Sequence, residues 1–430
     1  MSAAAEALAR AFAPAAEGEP AWLAERRLEG LRLFEAAGLP HTKLEDWRFT
    51  SLDALESLEL EPAPEAAPVD SGLADAVRAE VGPALCALFV DGREREIPAG
   101  EAEGISLEPL TRAAGNDALG LQGRLGALAD PKRRSLTALN AALFAGGASL
   151  EIAADARPER PIHLVWLQSD GAHAAHPRFA IRAGAGSRAC VIEHYVSGPG
   201  ARGLCNPVTE IELEPGARLD HVVVQDQSGD VFQLGALAAR GERDSELRTT
   251  SVALGGRLGR WDVYGTLAGE GARLELNGLY LARARQLLDH HTTIDHAAPR
   301  TTSEESFKGI LDGRGHGVFH GRIHVRPDAQ QIEAAQTHRS LLLSDQARIN
   351  AKPQLEIYAD DVRCSHGATV GQLDVDQLFY LRARGLTLAR ARALLTFGFA
   401  REICERIPLA PLREALERRV LNWLPAGDDA

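Results

Sequence analysis

The chain has 430 residues and a formal net charge of −13, from 60 acidic against 47 basic side chains. That balance speaks against a nucleic-acid surface, which needs clustered Lys and Arg to meet phosphates. With 45% hydrophobic and 25% charged residues, the chain is long enough for two or three domains, or for one elongated body with helical ends.

The N-terminus, Met1-Ser-Ala-Ala-Ala-Glu, lacks a basic segment followed by an apolar one, and no run of about 18 apolar residues occurs, so a cytoplasmic protein with no membrane contact is expected. Trp22 to Phe34 carries apolar residues at 3- and 4-residue intervals and stops at Gly38 with Pro40 behind it, which predicts a helix. A Pro-, Ala- and Glu-rich linker follows from about Leu60 to Asp70, then mixed pieces including a helical Thr137 to Phe144. Residues 1–147 are therefore expected as an N-terminal helical or mixed domain.

From residue 148 to 373 the period changes to strand-like alternation, in runs such as Ile162–Leu167, Phe179–Arg182, Ala189–Val196, Thr209–Leu213 and Leu219–Gln225. A turn phrase recurs at Gly184, Pro215, Arg243 and Glu270, at roughly the spacing that signals stacked repeats. The pattern alone leaves a β-solenoid and a β-sandwich both open. Residues 374–430 turn helical again: a short helix from Asp376 ends at Gly385, Thr387 is an N-cap candidate, and Leu388, Ala391, Leu394, Leu395, Phe399, Ile403 and Ile407 can share one apolar face. A last helix fits Pro411 to Trp423.

The chemistry-bearing residues are few. Five cysteines, Cys86, Cys190, Cys205, Cys364 and Cys404, are scattered without Cys-x-x-Cys spacing, so reduced thiols are expected. Cys364 and His366 stand two apart in a strand-like run; on an extended chain they face the same way, roughly 7 Å apart, as iron or sulfide ligands would. Their plainer reading is a buried thiol and a hydrogen-bonded imidazole in a repeat strand. Asp289-His290-His291-Thr-Thr-Ile-Asp295-His296 is rich in ligand types, but alternation puts His291, Thr293 and Asp295 on one face and His290 and His296 on the other. Scattered His316, His320, His324 and His338 add little. Gly255-Gly-Arg-Leu-Gly259 lacks the Lys-Ser/Thr of a phosphate loop, and no Gly-x-Ser-x-Gly elbow occurs, so nothing reads as a self-sufficient enzyme. Leu378, Phe379, Tyr380, Leu381, Leu394, Leu395 and Phe397, rimmed by Arg382, Arg384, Arg390, Arg392 and Arg401, form an apolar stripe that is either core or a partner surface.

Cys364-Ser-His366-Gly-Ala-Thr-Val-Gly371 and Leu378-Phe-Tyr-Leu-Arg-Ala-Arg-Gly385 resemble the C-terminal signature of the SufB/SufD family of iron-sulfur cluster assembly scaffolds. The resemblance extends through Lys352–Ile357, Gln336-Thr337, Phe319–Val325 and Ser303–Gly309, and Glu45-Asp-Trp-Arg-Phe-Thr50 is similar to an N-terminal element of the SufD branch. The Cys-x-x-Cys-x-x-Cys run of many SufB sequences is missing, which favours the SufD branch. The resemblance implies a mainly β protein: a right-handed parallel β-helix core flanked by N-terminal and C-terminal helical domains. It further implies a non-catalytic scaffold subunit of a SufBCD complex, paired with a SufB-like subunit and docked by a SufC-like ABC ATPase through the C-terminal stripe with Arg384. A homodimer of the isolated chain is one state left open, which the sequence does not decide. Cys364 and His366 then become the cluster-assembly candidates, with a transient iron-sulfur cluster at the SufB interface and no cofactor held stably by the isolated chain. The alternatives are a SufB-like self-sufficient cluster scaffold and a β-helix carbohydrate-active enzyme, whose usual extracellular setting does not match the missing export signal.

Overall fold

The structure is a computed structural model and describes residues 3–10, 19–64, 69–98, 102–116 and 120–424. From Val208–Leu213 to Val362–Gly371 the strands fall alternately into two sheets, and each pairs in parallel with the strand two places further along the chain; between Gly147 and Cys205 each rung carries one extra short strand, so the parallel partner lies three places on. The result is a β-solenoid of about eight turns, with 43% strand against 25% helix. The alternation settles the choice between solenoid and sandwich, because sandwich sheets are built from antiparallel neighbours.

The recurring turn phrase has a backbone cause. Asp155, Gly186, Gly216, Asp244, Gly271, Arg300 and Gln331 all hold a positive φ between 55° and 72°. They stack in a column: the Gly186 amide donates to the Pro215 carbonyl, Gly216 to Arg243, Asp244 to Glu270, Gly271 to Pro299 and Arg300 to Gln330. Each rung turns the same corner in a left-handed conformation, so Gly or Asp, which adopt it at least cost, occupies five of these seven positions, and Arg300 and Gln331 take the corner at the last two.

One side of each strand fills the lumen. Ile211, Val223, Leu237, Val263, Leu276, Ile294, Phe307 and Phe319 pack there without exposure beyond a few per cent. The outer faces are covered by helices from both termini. Ala400, Ile403, Ile407, Leu412, Leu416 and Val420 close over Ile192, Val222, Val252, Leu279 and Ile310 of one sheet. Phe34, Trp47, Leu52, Leu136 and Leu139 cover Leu204, Phe232, Leu234 and Leu258 of the other.

The helices follow their end signals. Ala21–Ala37 stops at Gly38, whose φ is 68°. Val375–Ala383 is capped by Asp374, which accepts from the amides of Asp376 and Gln377, and the chain reverses at Gly385 with φ 92°. Leu388–Cys404 is capped by the Thr387 hydroxyl, which accepts from the Arg390 amide.

The sheets begin upstream of residue 148. Leu85–Val90 pairs in parallel with Ile162–Gln168 and antiparallel with Arg93–Glu96, and Ile105–Pro109 lies antiparallel to Gly147–Ile152. A division at residue 147 therefore cuts through both sheets. The first rung would otherwise present two bare edges, and the upstream segment supplies the strands that close them.

Candidate functional site

At the other end nothing closes the solenoid among the described residues. Val362–Gly371 and Arg348–Ile357 are the last strands of their sheets, each paired on one side only. From Ser365 to Gly371 every residue is exposed. Arg348–Ile357 contains Pro353, which has no amide proton to offer a further strand; Val362–Gly371 has no proline and keeps its ladder free.

Cys364 and His366 sit on this terminal strand, on the side that continues the lumen. Cys364 is aligned with Ala334 and His366 with Gln336, both buried and inward-facing. The Cys364 side chain packs half-buried against Ile323, Val325, Ile332 and Ala334, and this desolvation pushes its thiol pKa up. His366 is exposed. Thiol and imidazole thus stand at the mouth of the lumen, the sulfur against apolar packing and the ring open to whatever covers the end. No third metal-ligating side chain gathers beside them among the described residues.

Behind His366 runs a column that sequence reading missed. Glu305, Gln336 and His366 are register partners on three adjacent strands of one sheet. The Gln336 amide donates to the Glu305 carboxylate, and the Gln336 carbonyl oxygen is buried with no partner of its own. Burial raises the Glu305 pKa to about 7, against hydrogen bonds from Gln336 and Thr292. A carboxyl that changes charge near neutrality lies two strands behind the exposed imidazole, with an open acceptor between them.

The other histidines divide as alternation predicts. His290 faces the lumen, stacked on Tyr280 with centroids 5.1 Å apart, and burial lowers its pKa to about 4. His296 is bonded to Thr301 and Ser303 at 2.8 and 2.9 Å. His338 meets the Tyr280 hydroxyl at 2.7 Å inside the lumen. His291 points the other way, outward, toward His320.

The C-terminal stripe splits in two. Val375, Phe379, Tyr380, Leu388 and Leu394 are exposed, Phe379 at 74%, and the helix Val375–Ala383 buries no residue. Leu378, Leu381 and Leu395 are half-buried, and Arg384 lies over the Tyr380 ring at 5.1 Å. Phe397 and Phe399 instead pack against the solenoid's covered face, where Lys308 sits 4.4 Å from the Phe399 ring. The shared face expected for Leu388 and Leu394 is not the buried one: the long helix turns Ala391, Thr396, Ala400 and Ile403 inward, because the sheet beneath it decides which side is covered.

The family described as SUF system FeS cluster assembly, SufBD core domain, matches residues 165–399. An iron-sulfur cluster assembly SufBD family protein of Synechocystis is 31% identical over 94% of this chain and 91% of its own length. The iron-sulfur cluster assembly protein SufD of Escherichia coli is 29% identical over 91% and 90%, and that of Bacillus subtilis 26% over 94% and 95%. The core match covers most of the solenoid and both segments that carry the resemblance, so this chain belongs to the SufBD family of the SUF iron-sulfur cluster assembly system.

Proposed function

We propose that the chain is a non-catalytic scaffold subunit of a SUF assembly complex, paired through its open solenoid end with a SufB-like subunit and docked by a SufC-like ATPase on the exposed helix Val375–Ala383. One observation carries this reading: the only thiol and imidazole of the family signature stand on an edge strand whose outer ladder is unsatisfied. Edge strands of this kind are templates for pairing with another chain. Protein-bound clusters usually take four ligands, and Cys364 with His366 supplies two at most, so a partner seated on this edge provides the rest. The cluster is cargo here, held transiently at the junction.

ATP binding by the docked subunit moves the Val375–Ala383 helix, which follows the terminal strand by three residues, and reshapes the edge that carries Cys364. Reconstitution of the three-component complex with Cys364→Ala and with His366→Ala is the test. Both variants fold normally and lower cluster yield; full yield from the double variant removes these residues from the mechanism. Stoichiometric cluster formation by the isolated chain instead favours a self-sufficient scaffold.

A further inference from the structure

On the outer face of the other sheet, beginning one strand in from its open edge, Asp46, His291 and His320 each bring one donor atom to within 4.8 Å of the others. His291 and His320 are register partners on adjacent strands, and Asp46 reaches them from the short helix Glu45–Trp47. Both imidazoles are buried, and a cavity of about 270 Å³ opens over them, lined also by Thr50, Asn350 and Lys352.

The hydrogen bonds orient both rings. His320 Nε2 donates to the Gln354 side-chain oxygen at 2.6 Å, an oxygen that also accepts from Arg322, so Nδ1 keeps its lone pair and faces an Asp46 carboxylate oxygen at 3.9 Å. His291 Nε2 lies 3.1 Å from Asp289 Oδ1 and 3.2 Å from Arg260 Nη1. That Arg260 nitrogen can only donate, so it serves His291 Nε2 together with Asp289 Oδ2 at 2.7 Å and the Asp46 carbonyl at 2.8 Å. Both rings are thus oriented by side chains behind them, His320 by Gln354 and His291 by Arg260 and Asp289, the kind of support that holds histidines in place for a metal.

The supporting frame is rigid. Arg260 is held by Asp262 and Asp289 and lies 3.9 Å from the Trp47 ring, while the Thr50 hydroxyl donates to Asp289. Arg134 approaches Asp46 and Asp262 at 3.8 and 3.6 Å. Four carboxylates, Glu45, Asp46, Asp262 and Asp289, face four cationic side chains, Arg48, Arg134, Arg260 and Lys352, so the charges around the cavity are balanced.

We propose that Asp46, His291 and His320 form a binding site for one divalent first-row transition ion of the Fe(II) and Zn(II) class. Two imidazoles and a carboxylate with open positions suit such ions. Donors in a tetrahedral zinc site lie about 3.4 Å apart, so side-chain rotations of about an ångström close the set. The ion would clip the segment that holds Asp46, Trp47 and Thr50 onto the solenoid wall.

The test uses the full chain carrying Cys364→Ala and His366→Ala, so that ions at the open mouth do not contribute. Calorimetric titration with Zn(II) and the visible absorption of Co(II) are expected to give one site per chain. Asp46→Ala and His320→Ala should weaken Zn(II) by about 100-fold or more, and Gln354→Leu, which removes only the acceptor behind His320, by about tenfold. Zn(II) should also raise Tm in the parent and not in Asp46→Ala. Asp46 is half exposed, so that variant keeps its fold; if His320→Ala loses its circular dichroism signal, Asp46→Ala and Asp46→Asn decide. No stoichiometric binding by the parent, or binding that Asp46→Ala leaves unchanged, overturns the site.

Discussion

The two ends of the solenoid are made of the same strands and finished differently. At the first rung, Arg93–Glu96 and Ile105–Pro109 run antiparallel against the sheets, and Trp166 and Phe89 stack beneath them fully buried, centroids 5.8 Å apart. At the last rung, Val362–Gly371 leaves its ladder bare and Val370 is 55% exposed. A parallel stack has no intrinsic stop, so each end must be capped or must serve as an interface. The difference predicts where mutations act: on stability at the closed end, on assembly at the open one.

The largest expected effect breaks the closed end. Trp166→Ala removes a buried ring from the first rung and should cost about 3–5 kcal/mol. Val370→Ala, at the open end, should stay within about 0.5 kcal/mol. Urea titration of both variants checks the contrast; equal costs would mean that the open end is packed in solution as tightly as the closed one.

A smaller effect comes from the column behind the open strand. Because the folded Glu305 pKa, about 7, lies above its ordinary value of 4.5, its contribution to stability is complete below about pH 4.5 and is lost as pH rises through 7. Glu305→Gln keeps the shape and an oxygen acceptor without the charge. It should be more stable than the parent at pH 8, by up to about 3 kcal/mol, and closer to it at pH 5. Parallel stability profiles from pH 5 to 8 would show that the carboxyl is paired or solvated in both states.

The repeat was legible because its corners are local: a left-handed turn favours Gly or Asp, and those residues recur at Gly186, Gly216, Asp244 and Gly271, while the choice of solenoid over sandwich came from the family resemblance. That Cys364 and His366 share one strand face was legible because their two-residue spacing is also local. What escaped depends on the rung length. Glu305, Gln336 and His366 fall into one column, and His291 meets His320, only because each rung there takes about 30 residues, a length that local patterning does not turn into strand register. Asp46 was out of reach altogether, since nothing in its neighbourhood states that Arg260 and Asp289, more than 200 residues later, will anchor it. The C-terminal stripe failed in part for the converse reason. Helical periodicity finds an apolar face, but the solenoid takes Phe397 and Phe399 for itself and leaves Phe379 and Tyr380 outside.

That split gives the mildest change in stability and the sharpest test of the docking surface. Phe379 stands on a helix that buries none of its residues, so Phe379→Asp removes no core contact and should leave the urea midpoint unmoved, within about 0.5 kcal/mol. If the helix is the seat of the ATPase subunit, a large exposed ring near its middle is the type of residue that anchors an interface, and a charge there should weaken capture by about 30-fold, equivalent to about 2 kcal/mol. Phe397→Asp is the paired control. Its ring packs against the covered sheet face, so a charge there should lower the midpoint and reduce capture only in proportion to the unfolded fraction. Undiminished binding by Phe379→Asp, with the fold intact, would move the docking surface off the helix Val375–Ala383 and leave the open strand as the one assembly surface at this end of the molecule.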